Sequence, residues 1–180
     1  CRVSTAYRGV VERGRVAAGE VLCVYGCGGV GLAAVALGRA MGAQVVAIDV
    51  APEALALATT MGADVTLDAR DHDDVAEYVR DTTGGAHVSV DCLGHAATAA
   101  NSVNSLRALG RHVQIGLFPA ATADFPVSRV IREELEVLGV HGLSASRLHE
   151  VFALMQQGRL DLAAMITHRL SLADVPQALP

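Results

Sequence analysis

The 180 residues carry a net charge of −5, and all 14 basic residues are arginine, interspersed with acids rather than gathered into a nucleic-acid footprint. The absence of lysine excludes a phosphate-loop lysine and a Schiff-base lysine within this chain. A composition 52% hydrophobic and only 3% aromatic points to a core of Ala, Val, Leu and Ile, the usual material of a parallel sheet between helices. The longest apolar run, Gly29 to Gly38, ends at Arg39, well short of the ~20 residues of a membrane span. No signal-peptide pattern opens the sequence, and four scattered cysteines suit a reducing cytoplasm. A start at Cys1 without methionine is expected of a fragment or a processed piece.

In chain order, "STAYRGVVERGRVAAGE" is predicted to be a short helix leading into a sheet, and "VLCVY" (21–25) a buried strand. "GVGLAAVALGRAMG" (29–42) is helix-length and stops at a glycine; "QVVAIDV" (44–50) is the next strand. "PEALALATTMG" (52–62) opens on a proline suited to a first helical turn, and "ADVTLD" (63–68) is a third strand. A helix over 71–85 begins with acidic residues that complement the helix dipole. Then follow a strand 86–94, a helix 96–110, a strand 111–117, a helix 127–134, a strand 135–142 and a helix 144–157. The tail "ITHRLSLADVPQALP" reads as one more strand and the start of a helix. Strands alternating with helices across short turns predict an α/β fold with a doubly wound, six-stranded parallel sheet, order 3-2-1-4-5-6. Residues 1–160 form that Rossmann-type domain on this reading, and 161–180 begin a return segment to another domain.

Within the fold, Gly26, Gly28 and Gly31 fit G-x-G-x-x-G between a strand and a helix, and Asp49 ends the following strand. Gly26 would permit the tight turn, Gly28 the approach of a pyrophosphate, and Gly31 close helix–strand packing. The helix N-terminus offers free N–H groups to phosphates, and Asp49 can accept from adenosine ribose hydroxyls. A 2′-phosphate there would meet a carboxylate, and residues 50–57 contain no base, so NAD(H) is expected over NADP(H).

These segments, with "CRVSTAY" at the start and "VDCLG" and "HVQIGL" later, resemble the zinc-dependent medium-chain alcohol dehydrogenases over essentially the whole chain. The resemblance implies a nucleotide-binding domain that follows a zinc-holding GroES-like domain, with hydride passing from an alcohol to nicotinamide. It implies Cys1 as a ligand of a catalytic zinc and Thr5 beside the nicotinamide carboxamide. Gly28, Gly29 and Val30 would meet the pyrophosphate region, Val30 also backing the nicotinamide ring. Cys92 and Leu93 would flank the adenosine end, while Ile115, Gly116 and Leu117, joined by Leu138 and Val140, would line the nicotinamide pocket. A homo-oligomer paired through the last sheet strand is a further implication.

The sequence also departs from the family. The other zinc ligands and the proton relay would precede the region covered, the four-cysteine structural lobe is absent, and Ala54 stands where a basic residue often follows the ribose-binding acid. Cys23 and Cys27 read as small packed thiols, and none of the seven histidines has ligand spacing. Asp91 is expected to bond loop backbone, and His141 follows the strand expected on the nicotinamide side. Three other readings stand beside the leading one: a zinc-free quinone reductase-like relative, a non-catalytic dinucleotide-binding module, and a methyltransferase.

Overall fold

The computed structural model describes residues 2–118, 125–166 and 168–174. Six parallel strands form one sheet in the order β3-β2-β1-β4-β5-β6, as expected. They are β1 (Val21–Tyr25), β2 (Gln44–Asp49), β3 (Val65–Asp68), β4 (Ala86–Asp91), β5 (Leu106–Gln114) and β6 (Glu136–Gly139). The helices are α1 (Arg2–Tyr7), α2 (Gly29–Ala40), α3 (Pro52–Thr60), α4 (Val75–Thr83), α5 (Ala96–Asn104), α6 (Val127–Arg132) and α7 (Leu148–Gln156). α1 runs on into a π-helical turn, Arg8–Arg13.

Strand alternation builds two cores. Leu22, Val24, Val45, Ala47, Val88 and Val90 face α1, α2 and α7. Their neighbours Val21, Cys23, Tyr25, Val46 and Ile48 face the other way, onto Val75 and Val79 of α4 and Val103 of α5. Every residue of β1 is buried, as befits a central strand covered on both faces. Gly38 lets α2 lie close on the sheet, because a Cβ there would collide with Leu22. Helix limits follow from local chemistry. Pro52 opens α3, Asp74 caps α4 by accepting from the Glu77 N–H at 2.8 Å, and left-handed Gly84 (φ 75°) ends it.

Two expectations are corrected. The helix predicted over 96–110 stops at Asn104, and β5 begins at Leu106. Leu106 is fully buried opposite Ala86, after which Arg107–Gly110 bulge out, with Leu109 left-handed, before regular pairing resumes at Arg111 opposite Val88. Burial of Leu106 thus outweighs the helical propensity of "SLRAL". The tail forms no strand among the described residues; Ala163–Met165 and Leu172–Asp174 are single 3₁₀ turns. Residue 167 and residues 175–180 lie outside the described residues.

Candidate functional site

The expected residues gather along the C-terminal ends of the strands, where open α/β sheets hold their ligands. From one side to the other the strip runs through Asp49 (end of β2), the glycine turn after β1, Cys92 and Leu93 after β4, and Ile115–Leu117 after β5. Leu138 and Val140 complete it on and just after β6, with the Val140 N–H donating to Gln114 O at 3.0 Å.

The turn itself separates the glycines by cause. Gly26 is left-handed (φ 92°), with the Leu93 side chain packed against it. Gly31 sits on the carbonyl of Gly26, leaving no room for a Cβ. Gly28, the N-cap of α2, is different: its φ is −73°, which any residue adopts, and a Cβ there would meet nothing within 4 Å. The fold requires glycine at 26 and 31 but not at 28, where the backbone is exposed and open. The N–H groups of Gly29, Val30 and Gly31, in the first turn of α2, have no partner within the helix and suit an anion in that space.

Asp49 joins this turn directly. Its Oδ2 accepts from the Cys27 N–H at 2.6 Å, and its Oδ1 from the N–H groups of Val50 and Ala51 at 2.7 and 2.9 Å. A carboxylate has about four lone-pair positions, so capacity is left for a hydroxyl entering the crevice. One strand over, Arg70 is clamped by Asp68, with bonds of 3.0 and 2.5 Å to its two oxygens, and that pairing holds the carboxyl down at about 2.

The β4 and β5 ends are tied by a buried polar chain that the sequence did not disclose. Asp91, fully buried, accepts at Oδ1 from the Leu93 N–H (2.9 Å) and at Oδ2 from Gln114 Nε2 (2.8 Å). That amide also donates to Gly116 O at 2.8 Å, which fixes its orientation and turns Oε1 toward His112 Nε2 at 3.1 Å. His112 must therefore carry its proton on Nε2, leaving Nδ1 to accept from the Ser102 hydroxyl at 3.0 Å. Burial keeps this imidazole neutral by lowering its pKa. Gly94 and Gly116 touch backbone to backbone, interlocking the two loops.

Among the other expected residues, Thr5 is buried on α1 and Val30 half-buried in the first turn of α2, whereas Leu93 and Leu117 are 46% and 79% exposed. His141 is exposed. Cys23 and Cys27 are buried free thiols, and burial pushes both up to about 12. Cys1 lies outside the described residues, and no three His, Cys, Asp or Glu side chains among the described residues are grouped to hold a metal. A cavity of about 540 Å³ between α4, α5 and α6 contains no residue of the strip; its arginines Arg80 and Arg129 bond the backbone carbonyls of Asn104 and Leu106.

A sequence profile described as zinc-binding dehydrogenase matches residues 29–157. The erythritol/L-threitol dehydrogenase of Mycolicibacterium smegmatis is 32% identical over 173 residues, covering 94% of this chain and 47% of the relative. An alcohol dehydrogenase of Geobacillus stearothermophilus is 29% identical, covering 97% of the chain and 51% of that enzyme. Among solved structures, the alcohol dehydrogenase TADH from Thermus sp. ATN1 superposes with a TM-score of 0.89 at 30% identity, over 99% of this chain and 51% of that one. The chain thus spans about half the length of the relatives it matches.

Proposed function

Because this chain belongs to the zinc-binding dehydrogenase family, we propose that it is the NAD(H)-binding portion of a zinc-type alcohol dehydrogenase. The observation that carries the reading is the open space over Gly28, at a helix N-terminus whose neighbouring turn is held by Asp49. In this reading Gly26 and Gly31 shape the turn. The N–H groups of Gly29 and Val30 hold the diphosphate, and Asp49 accepts from the adenosine ribose with the capacity that Cys27, Val50 and Ala51 leave free. Cys92 and Leu93 border the adenosine end. Thr5, Val30, Ile115, Gly116, Leu117, Leu138 and Val140 surround the nicotinamide. When bound, the nicotinamide ring supplies a hydride acceptor for an alcohol carbon. The residues named here bind, orient and shield that ring.

Zinc does not fit the described residues. A catalytic zinc needs three protein ligands and an open position, and no such group is present among them. Cys1 is proposed as one ligand, whose companions would have to come from outside the described residues. The 180-residue chain should therefore bind NAD(H) without turning over alcohol. We further propose residues 161–180 as the start of a return segment toward a catalytic domain, a small alcohol or aldehyde as substrate, a cytoplasmic setting, and pairing of two copies through β6. β6 is an edge of the sheet with Val137 46% exposed.

Preference for NAD(H) over NADP(H) rests on Asp49, on the absence of a base in residues 50–57, and on the engagement of Arg70 by Asp68. Fluorescence titration of the chain with NADH and NADPH tests it. Tighter NADH binding is expected, and NADPH binding at least as tight would refute the preference.

A further inference from the structure

Several arginines of the chain meet carboxylates: Arg15 pairs with Glu136, Arg111 with Glu20 and Arg147 with Glu150. The cavity of about 540 Å³ between α4, α5 and α6 departs from that pattern. Its lining holds three guanidiniums, Arg80, Arg129 and Arg132, against a single carboxylate, Asp74, in a chain whose net charge is −5. Asp74 already spends one oxygen on the Glu77 N–H as the cap of α4. Arg80 Nη1 donates to Asn104 O, and Arg129 Nη2 to Leu106 O at 2.6 Å, but neither guanidinium pairs with a carboxylate among the described residues. Arg132 meets Glu133 through Nε at 3.3 Å, at the surface. Arg129 Nε is shielded from water and has no hydrogen-bond partner among the described residues. Burial, and then the charges of Arg80 and Arg132, lower the pKa of Arg129, with Glu133 opposing them.

Like charges gathered on a partly buried wall repel one another, and an anion between them removes that cost. Each guanidinium carries five N–H donors, of which Arg80 and Arg129 spend one on a backbone carbonyl. Its planar fork suits the oxygens of a phosphate group, two at a time. We propose that this cavity binds a phosphate dianion, free or as the monoester of a small organic molecule, with Arg80, Arg129 and Arg132 donating to its oxygens. Phe125 and Val127 line the same cavity and offer an apolar wall to an organic body. A phosphate held there would also brace the passage from α5 into β5, whose Asn104 and Leu106 carbonyls two of these arginines already bond. No residue of the strip of strand ends lines this cavity, so the proposal does not rest on the dinucleotide reading.

The test uses the protein at its natural length, titrated calorimetrically with inorganic phosphate and with glycerol 3-phosphate, with and without NADH. Thermal denaturation in phosphate is compared with sodium chloride at equal ionic strength. Phosphate binding that persists beside NADH is expected, with a rise in Tm that chloride does not match. Arg132→Gln removes an exposed side chain, so it should fold normally and weaken phosphate about tenfold, the loss of one charge-assisted contact. Arg132→Lys should recover part of that loss, and Arg129→Gln should weaken phosphate at least as much. Tighter glycerol 3-phosphate would mark a monoester as the occupant, equal affinity free phosphate; both agree with the proposal. Phosphate affinity unchanged in both Gln variants would put the anion elsewhere and overturn it, as would displacement by NADH or a Tm response equal to that of chloride. Asp124 adjoins Phe125 in sequence but lies outside the described residues. Phosphate binding gained only in Asp124→Asn would show that the chain supplies its own counter-charge, which would also overturn the proposal.

Discussion

Replacing Gly28 by alanine separates what the fold needs from what a ligand needs. The N-cap φ of −73° is open to alanine, and the added methyl meets nothing within 4 Å, so no clash arises in the free protein. Alanine is a poorer N-cap than glycine, at a cost of about 0.5–1 kcal/mol, but it also restricts the unfolded chain, which returns about 0.4–1 kcal/mol. The two nearly cancel. For 180 residues a net change within ~0.5 kcal/mol moves Tm by no more than ~2 °C. In the complex, the methyl occupies the space through which a phosphate oxygen would reach the α2 N–H groups. Losing one charge-assisted hydrogen bond there costs about 1.5–3 kcal/mol, a 10- to 100-fold rise in the Kd for NADH. Thermal denaturation and an NADH titration on the same preparation measure both quantities. Wild-type affinity in Gly28→Ala would refute the phosphate role of this opening, and a Tm drop beyond ~5 °C would refute the claim that the fold does not need the glycine. Gly31→Ala serves as the contrast: its methyl would land on the Gly26 carbonyl, so that variant should lose stability outright.

Asp49→Asn should weaken NADH at least tenfold and narrow its advantage over NADPH, since the like-charge penalty on a 2′-phosphate disappears; parallel titrations decide it. Asp91→Asn would turn an N–H group toward donors already aimed at the buried carboxylate. It should cost about 2 kcal/mol or more and lower Tm by ~4 °C or more; an unchanged Tm would remove Asp91 from the support of the β4 and β5 loops. His112 has a folded pKa below its ordinary 6.5, so the unfolded chain binds its proton first. Stability should then decline as pH falls below about 6.5, by up to ~1.4 kcal/mol per pH unit, and His112→Gln should flatten that decline in urea titrations. Cys23 and Cys27, buried and pushed up to about 12, should resist iodoacetamide at pH 8 in the native state and react once unfolded, as peptide mapping would report.

Local patterns disclosed what local physics decides. The strand–glycine–helix corner and Asp49 were readable because a turn needing positive φ, a close approach and a strand-end acid all fall within 24 residues of chain, from Gly26 to Asp49. Gln114 was not readable, because its meaning depends on β5 lying beside β4, which brings its amide to Asp91 across 23 residues of sequence. The start of β5 was misjudged because "SLRAL" has good helical propensity, and only its fit against Ala86 reveals Leu106 as part of the sheet.

The bond from Cys27 to Asp49 has a consequence for how an empty crevice waits. The carboxylate is already held at both oxygens by main-chain donors, so it need not swing into place or shed an awkward partner when a sugar arrives. Much of the cost of ordering that carboxylate is met during folding, and in the proposed dinucleotide role it would need no slow tightening around its ligand. The same linkage couples the end of β2 to the glycine corner: a shift of the carboxylate would tug the Cys27 peptide.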